Sequence, residues 1–199
     1  MMRIHSIWAL AAIAALALVS AVHAEDEHRQ LGAHVHGHGT LSIAVEDKRV
    51  AMELEVPGMD LVGFEHVAET KEQKVAIENA KAKLAKPLAL FKLPASAICS
   101  VSQVKVALEG GDDHDDGDED HAEHANAKYD EDERGGHTEF HVAYTLDCAK
   151  PANLTSIAFD YFKAFSGANE LTVNVVTAKA QNTYEVSRDK PALDLGGMM

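Results

Sequence analysis

The chain has 199 residues and a formal net charge of −14, because 32 acidic residues outnumber 18 basic ones. This charge argues against nucleic acid or an anionic membrane as a partner and favours cations. The length suits one domain with a hydrophobic core of its own.

An apolar run at residues 7–22 follows Arg3, and small residues lead up to Ala24. The run is shorter than the roughly 20 residues that span a bilayer, and acidic residues follow it directly. The pattern predicts a signal peptide over residues 1–24. The mature chain, residues 25–199, is then an exported protein without a membrane segment.

Histidines are concentrated in a few parts of the mature chain: His34, His36 and His38, then His114, His121 and His124, then His137 and His141. Neutral imidazole binds zinc, copper and nickel, so we interpret the chain as a metal-binding protein. Residues two apart on a strand share a face, so His34 and His36 can reach one ion while His38 helps or holds a second. The neighbouring glycines leave a flexible tail as the alternative.

Alternating apolar residues after this triple predict a β-hairpin with a turn at Asp47-Lys48 and one buried face. Residues 59–66 are predicted as a linker. Thr70 and Gln73 match a capping box, and the apolar residues Ile77, Ala80, Leu84 and Leu88 then recur at helical spacing. We therefore expect one amphipathic helix that covers the sheet and ends or kinks at Pro87.

Two cysteines, Cys99 and Cys148, form an even pair, which in an exported chain favours a disulfide over a metal thiolate pair. Strands are predicted at residues 101–108 and 137–148, and their antiparallel pairing would bring the two cysteines together.

The segment between these strands, residues 109–136, is rich in aspartate, glutamate and histidine. Such a block of like charge has too few apolar groups to fold, so we expect a disordered loop. His114, His121 and His124 among its carboxylates favour weak metal collection, with a solvated spacer as the alternative.

Residues 157–165 fit a short helix whose aromatic residues belong to the core. Leu171 to Val175 and Tyr184 to Val186 then predict a closing hairpin with its turn at Gln181-Asn182. The predicted fold class is α+β, with a single domain, a mostly antiparallel sheet, helices on one side and the long disordered loop.

A tetrahedral zinc ion needs three or four protein ligands, so the histidine triple is at most part of a site. His137, Glu139 and His141 alternate on a predicted strand and are the best additional donors. His66, which follows Glu65, is the other candidate, with a structural histidine as the alternative.

Several motifs follow one another along the chain: the histidine triple, the Pro57-Gly-Met-Asp60 sequence, the Gly63-Phe-Glu-His66 sequence, Pro94 ahead of Cys99, the His/Asp-rich insert, and Glu139-Phe140 ahead of Cys148. In this order they resemble the ZrgA family of periplasmic zinc-binding proteins. The resemblance implies a periplasmic protein of Gram-negative bacteria that binds Zn²⁺ and assists high-affinity zinc import. It implies as partner a zinc ABC transporter, reached through the periplasmic binding protein of that transporter. We therefore expect a binding protein without catalytic residues.

Other readings of the histidines remain open. The sequence Gly32-Ala-His34-Val-His36 is similar to the copper ligands of Cu,Zn superoxide dismutase, an exported enzyme. That fold would need a late copper-ligand histidine, and no histidine follows His141. Copper or nickel in place of zinc is a second alternative, and an interaction module with incidental histidines is a third.

Overall fold

The structure is a computed structural model and describes residues 35–110 and 137–199. These residues form nine strands: β1 (His38–Glu46), β2 (Arg49–Pro57), β3 (Phe91–Lys92), β4 (Cys99–Glu109), β5 (Glu139–Cys148), β6 (Ser156–Phe159), β7 (Glu170–Thr177), β8 (Gln181–Ser187) and β9 (Ala192–Asp194). They also form four α-helices, α1 (Gly58–Val62), α2 (Lys71–Leu84), α3 (Pro87–Leu90) and α4 (Tyr161–Ala164), and two short 3-10 helices at Ala95–Ala97 and Pro151–Asn153. The predicted signal peptide and nearly all of the predicted loop lie outside the described residues.

Six strands pair in the order β4-β5-β2-β1-β7-β8, and β3, β6 and β9 form a small second sheet. The β1–β2 hairpin is confirmed, with Leu41 opposite Leu54 and a turn in which Asp47 has a φ of 51°. Every pairing in the large sheet is antiparallel except that of β1 with β7, which is parallel. The predicted single domain with a mostly antiparallel sheet is therefore confirmed.

One face of the large sheet is apolar and buried, because alternate residues of its strands point into the core. Leu41, Leu54 and Val173 on this face are fully buried. The predicted capping box starts α2: Thr70 Oγ1 accepts from the Gln73 N–H, and the Gln73 side chain accepts from the Thr70 N–H. The helix buries Ile77, Ala80 and Leu84 in the same core cluster. The opposite face of the sheet carries polar side chains.

The disulfide between Cys99 and Cys148 is present and joins the far ends of β4 and β5, as predicted. The two strands pair from Cys99↔Cys148 to Glu109↔Glu139, with an irregularity between Val101 and Gln103. The residues at which the chain leaves and re-enters the sheet, Glu109 and Glu139, are therefore direct neighbours.

Several local predictions are wrong. Residues 156–159 form strand β6, because Ile157 and Phe159 alternate into the core, and only the single turn of α4 is helical. Gln181 and Asn182 lie in β8, so the turn precedes them. The linker predicted at residues 59–66 contains most of α1. The predicted break of the following helix near Pro87 is confirmed, because α2 ends at Leu84 and a separate turn of helix starts at Pro87. No helix in the described ranges combines the length and apolar character needed to cross a membrane.

Candidate metal centre

Five predicted ligand histidines lie within the described residues: His36, His38, His66, His137 and His141. His34, His114, His121 and His124 lie outside them. The described five do not meet at one point. They lie in separate groups, which we take in turn.

A turn at Gly37 divides the histidine triple. His36 and Gly37 precede β1, which begins at His38, so the strand predicted for the whole triple is wrong at these positions. Gly37 has a φ of 85°, and its carbonyl oxygen accepts from the N–H groups of Asn169 and Glu170 at 2.8 and 2.9 Å. His36 and His38 consequently contact different carboxylates.

The buried side chain of Asp60 forms a hydrogen bond with the backbone of this turn. Asp60, in α1, is 3% exposed, and its Oδ1 accepts from the Gly37 N–H at 2.6 Å. Burial raises the pKa of Asp60, although the hydrogen bond from Gly37 and the charges of nearby histidines act in the opposite direction. Asp60 fixes the backbone next to His36 and is therefore a positioning residue.

Glu65 brings two of the predicted histidines together. Its Oε1 lies 2.9 Å from His36 Nε2, and its Oε2 lies 2.5 Å from His137 Nδ1. The glutamate side chain is 9% exposed, whereas those of His36 and His137 are 57% and 66% exposed. These three residues are named the Glu65 centre.

Backbone hydrogen bonds join the two chain segments that build this centre. The Thr138 N–H donates to the Glu65 carbonyl at 2.7 Å, and the Gly58 N–H donates to the Thr138 carbonyl at 2.7 Å. Gly58 allows this close approach, because a Cβ there would lie 2.5 Å from Thr138 Oγ1. The first residue of α1 therefore fixes the segment that carries His137, and that segment fixes Glu65.

The two histidines also control the charge of Glu65. Burial by itself raises the pKa of this carboxyl, but the hydrogen bond from His137 and the nearby His36 together outweigh burial and lower it. The Glu65 carboxyl is consequently anionic at neutral pH.

One oxygen of this carboxylate lacks a well-aligned hydrogen bond. Glu65 Oε1 is buried, and among the described residues no group meets hydrogen-bond geometry to it, although His36 Nε2 is close. A cation bound by both atoms would satisfy the oxygen and the nitrogen together. Two imidazoles and one carboxylate are groups that zinc binds. Here the imidazoles contact different oxygens of Glu65, and among the described residues the group with three ligand atoms within 4.8 Å of one another is His38, Glu170 and Glu185, so one zinc ion at the Glu65 centre requires its two imidazoles to move closer together.

A second group surrounds His141 on the polar face of the sheet. His141 Nε2 lies 2.9 Å from Glu139 Oε2 and 3.6 Å from Glu109 Oε2, and His141 Nδ1 lies 3.8 Å from Glu55 Oε1. The strand β5 begins at Glu139, so the prediction that His137 alternates with Glu139 and His141 on this strand is wrong for His137. His137 lies before the start of β5 and contacts Glu65 instead.

A third group contains His38, whose Nδ1 lies 3.2 Å from Glu170 Oε1. Glu185 completes a set of three ligand atoms that all lie within 4.8 Å of one another. His66 makes other contacts: its Nδ1 is 2.8 Å from the Val67 carbonyl oxygen, and its ring lies 5.1 Å from that of Phe64. These contacts fit the structural role that the sequence left open for His66.

Comparison with known families agrees with this chemistry. A family model described as ZrgA family zinc uptake protein matches residues 33–195, which include all three histidine groups. The chain belongs to the ZrgA family. No protein of curated function matches it. ZrgA membership indicates a role in zinc uptake, and the grouped histidines and carboxylates are suited to binding a metal.

Glu65, Glu170 and Glu185 are candidate ligands that the sequence did not predict. Glu65 had a signal in the sequence, because it lies beside His66 in the Gly63-Phe-Glu-His66 sequence that carries the family resemblance. Glu170 and Glu185 had no comparable signal. They reach His38 only through the parallel pairing of β1 with β7, and no local pattern predicts that pairing.

Proposed function

We propose that this ZrgA family member is a periplasmic protein that captures Zn²⁺ at the Glu65 centre and assists high-affinity zinc import. Its proposed partners are a zinc ABC transporter and the periplasmic binding protein of that transporter. The observation that carries the proposal is the position of Glu65, whose carboxylate lies between His36 and His137 with one oxygen unsatisfied.

The exposure of the centre supports capture followed by release. The carboxylate is buried and in contact with both imidazoles, which favours a preorganised anionic ligand, whereas both imidazoles are more than half exposed. An ion bound there can enter and leave without unfolding of the core. We propose binding and transfer, without catalysis, as the role of this open geometry.

The proposed compartment rests on two features. The N-terminal sequence is typical of an export signal, and a disulfide such as Cys99–Cys148 persists in an oxidising environment. Weak zinc collection by the histidines of residues 110–136 belongs to the same proposal. In this two-tier arrangement the Glu65 centre is the tight site.

Zinc titration of the mature chain, residues 25–199, against a chelator of known affinity tests the proposal. We expect the tight site to be lost in Glu65→Gln and in a His36→Ala/His137→Ala variant. His66→Ala is the matched control, because His66 lies outside the three histidine groups, and it should retain the tight site. Tight binding that survives unchanged in both centre variants would refute the Glu65 centre as the site of capture.

Transfer is tested separately from binding. The zinc-loaded mature chain is mixed with the metal-free periplasmic binding protein of a zinc ABC transporter, and the metal content of each is followed with time. We expect zinc to reach the binding protein faster than it dissociates spontaneously from the chain in the absence of that protein. Equal rates would remove the transporter as a direct partner but would leave zinc capture standing.

A further inference from the structure

We propose that His38, Glu170 and Glu185 bind a second divalent cation at a site separate from the Glu65 centre. We call these three residues the His38 site. The inference does not depend on the proposed function, because the two sites share no ligand.

The sheet itself positions the His38 site. His38 begins β1 and lies opposite Glu170 in the parallel β1–β7 pair, while Thr172 lies opposite Glu185 in the antiparallel β7–β8 pair. All these side chains project from the polar face of three adjacent strands. Ligands carried by strands are held more precisely than ligands on loops, which favours a defined coordination geometry.

The hydrogen bonds of Thr172 indicate which ring nitrogen of neutral His38 carries no proton. The Thr172 hydroxyl donates its single proton to the Glu185 carboxylate, at 3.2 and 3.3 Å from the two oxygens. The same hydroxyl oxygen lies 2.9 Å from His38 Nε2, so it accepts a proton from that nitrogen. In neutral His38 the other nitrogen, Nδ1, is therefore bare.

This bare nitrogen points at an anion. His38 Nδ1 lies 3.2 Å from Glu170 Oε1, so two lone pairs would oppose each other unless a positive charge lies between them. Either a second proton on the ring or a bound cation supplies that charge. A metal ion suits the position, because an Nδ1 ligand with its Nε2–H held by a neighbour is the usual arrangement of a metal-bound imidazole.

The charge of the site also favours a divalent cation. Among the described residues, neither Glu170 nor Glu185 forms an ion pair with a lysine or an arginine. Arg188, the first residue beyond β8, donates instead to the Phe162 carbonyl at 2.6 Å. Two carboxylates without a basic partner match the charge of one divalent ion, and with one imidazole they form a donor set for zinc or manganese.

The two sites differ in their ligands rather than in their accessibility. The side chains of His38 and Glu170 are 36% and 43% exposed, so both sites are open to the solvent. The His38 site, however, has one imidazole and two carboxylates, whereas the Glu65 centre has two imidazoles and one carboxylate. We expect the site with fewer nitrogen ligands to bind zinc more weakly and to discriminate less against manganese.

The test uses Zn²⁺ as the probe and the full mature chain. The imidazole ¹⁵N signals of His38 are recorded during zinc titration, because they report this site alone, and calorimetry gives the stoichiometry. In the wild type, and equally in His36→Ala/His137→Ala, His38 Nδ1 should shift on zinc binding. A Glu170→Gln/Glu185→Gln variant should lose this shift and one zinc equivalent.

The matched control is Glu46→Gln/Glu53→Gln, which removes the same charge from exposed positions of the same sheet and should bind zinc as the wild type does. Thr172→Val keeps all three ligands and should weaken zinc at this site about ten- to a hundred-fold, since it removes the group that orients two of them. It also provides a readout if the double variant does not fold.

Three results would overturn the inference. The first is an unchanged His38 signal when zinc is added to the wild type. The second is zinc binding by the Glu170/Glu185 variant that equals that of the control. The third is loss of the His38 response in the His36/His137 variant, which would show that His38 belongs to the Glu65 centre.

Discussion

Replacing Glu65 by glutamine should remove most of the stabilisation that zinc gives to the folded protein. A ligand that binds only the native state at a hundred times its dissociation constant stabilises that state by about 2.7 kcal/mol. For a domain of this size this corresponds to a rise of about 5–11 °C in the melting midpoint. Zinc that binds folded and unfolded chains equally does not change the melting midpoint, so the shift measures zinc binding to the folded protein.

The structure indicates how much of this shift depends on Glu65. The substitution keeps the shape of the side chain but removes the only anionic ligand of the centre, which contacts both His36 and His137. Replacing a residue that hydrogen-bonds to a metal ligand lowers the metal affinity 10- to 100-fold. For replacement of the ligand itself we therefore expect a loss of zinc affinity of about 100-fold. At the same zinc concentration the stabilisation then falls to about 0.4 kcal/mol, which is about 1–2 °C.

Thermal unfolding followed by circular dichroism at pH 7, with and without zinc, measures this difference. Glu69→Gln is the control, because Glu69 is exposed a few residues further along the same segment and has no contact with the centre. A zinc-induced shift in Glu65→Gln as large as in the wild type and in Glu69→Gln would refute the assignment of Glu65 as a ligand.

Four further predictions follow from other parts of the structure. Cys99→Ser/Cys148→Ser should lower the free energy of unfolding by about 4 kcal/mol, measured by urea denaturation, because the bond closes a segment with a sequence separation of 49. Gly37→Ala should destabilise the fold more than Gly197→Ala does in the same assay: both positions have positive φ, but only at Gly37 would the new Cβ meet a neighbour, Asn169 Nδ2 at 2.5 Å. Because the pKa of Glu65 is lowered in the folded state, its contribution to stability is complete above the ordinary value of 4.5 and is lost as the pH falls through the folded pKa, so acid unfolding of Glu65→Gln should lack this component. Zinc affinity should fall as the pH drops below about 6.5, where imidazole becomes protonated, and a competition titration at two pH values checks this.

The parts of the fold that local patterns specify could be predicted from the sequence. The β1–β2 hairpin follows from strict alternation around Asp47, and the start of α2 follows from the capping box at Thr70 and Gln73. The disulfide followed from the pairing of two strands that end in cysteine. The error at residues 156–159 has a physical cause: Ile157 and Phe159 alternate as a strand requires, while the aromatic residues after them match helical spacing.

The candidate site depended more on contacts between distant parts of the chain. Alternation placed three histidines on one face, but a single glycine with a left-handed backbone conformation sends His36 and His38 to different carboxylates. Whether a carboxylate lies near an imidazole 29 positions earlier in the chain, as Glu65 lies near His36, is decided by tertiary packing. Composition and spacing could therefore indicate metal binding and its histidines, but not the partners of each histidine.

The pairing of Glu109 with Glu139 allows the length of the segment between them to vary. These residues are neighbours across the β4–β5 pair, so the intervening segment begins and ends at the same place on the sheet. The entropy of closing a segment between fixed ends grows only with the logarithm of its length, and each doubling costs about 0.6 kcal/mol. Insertions and deletions of histidine- and aspartate-rich sequence can therefore accumulate at this point with little effect on stability. Under the proposed two-tier arrangement, such insertions would change the number of weak sites and leave the Glu65 centre unchanged.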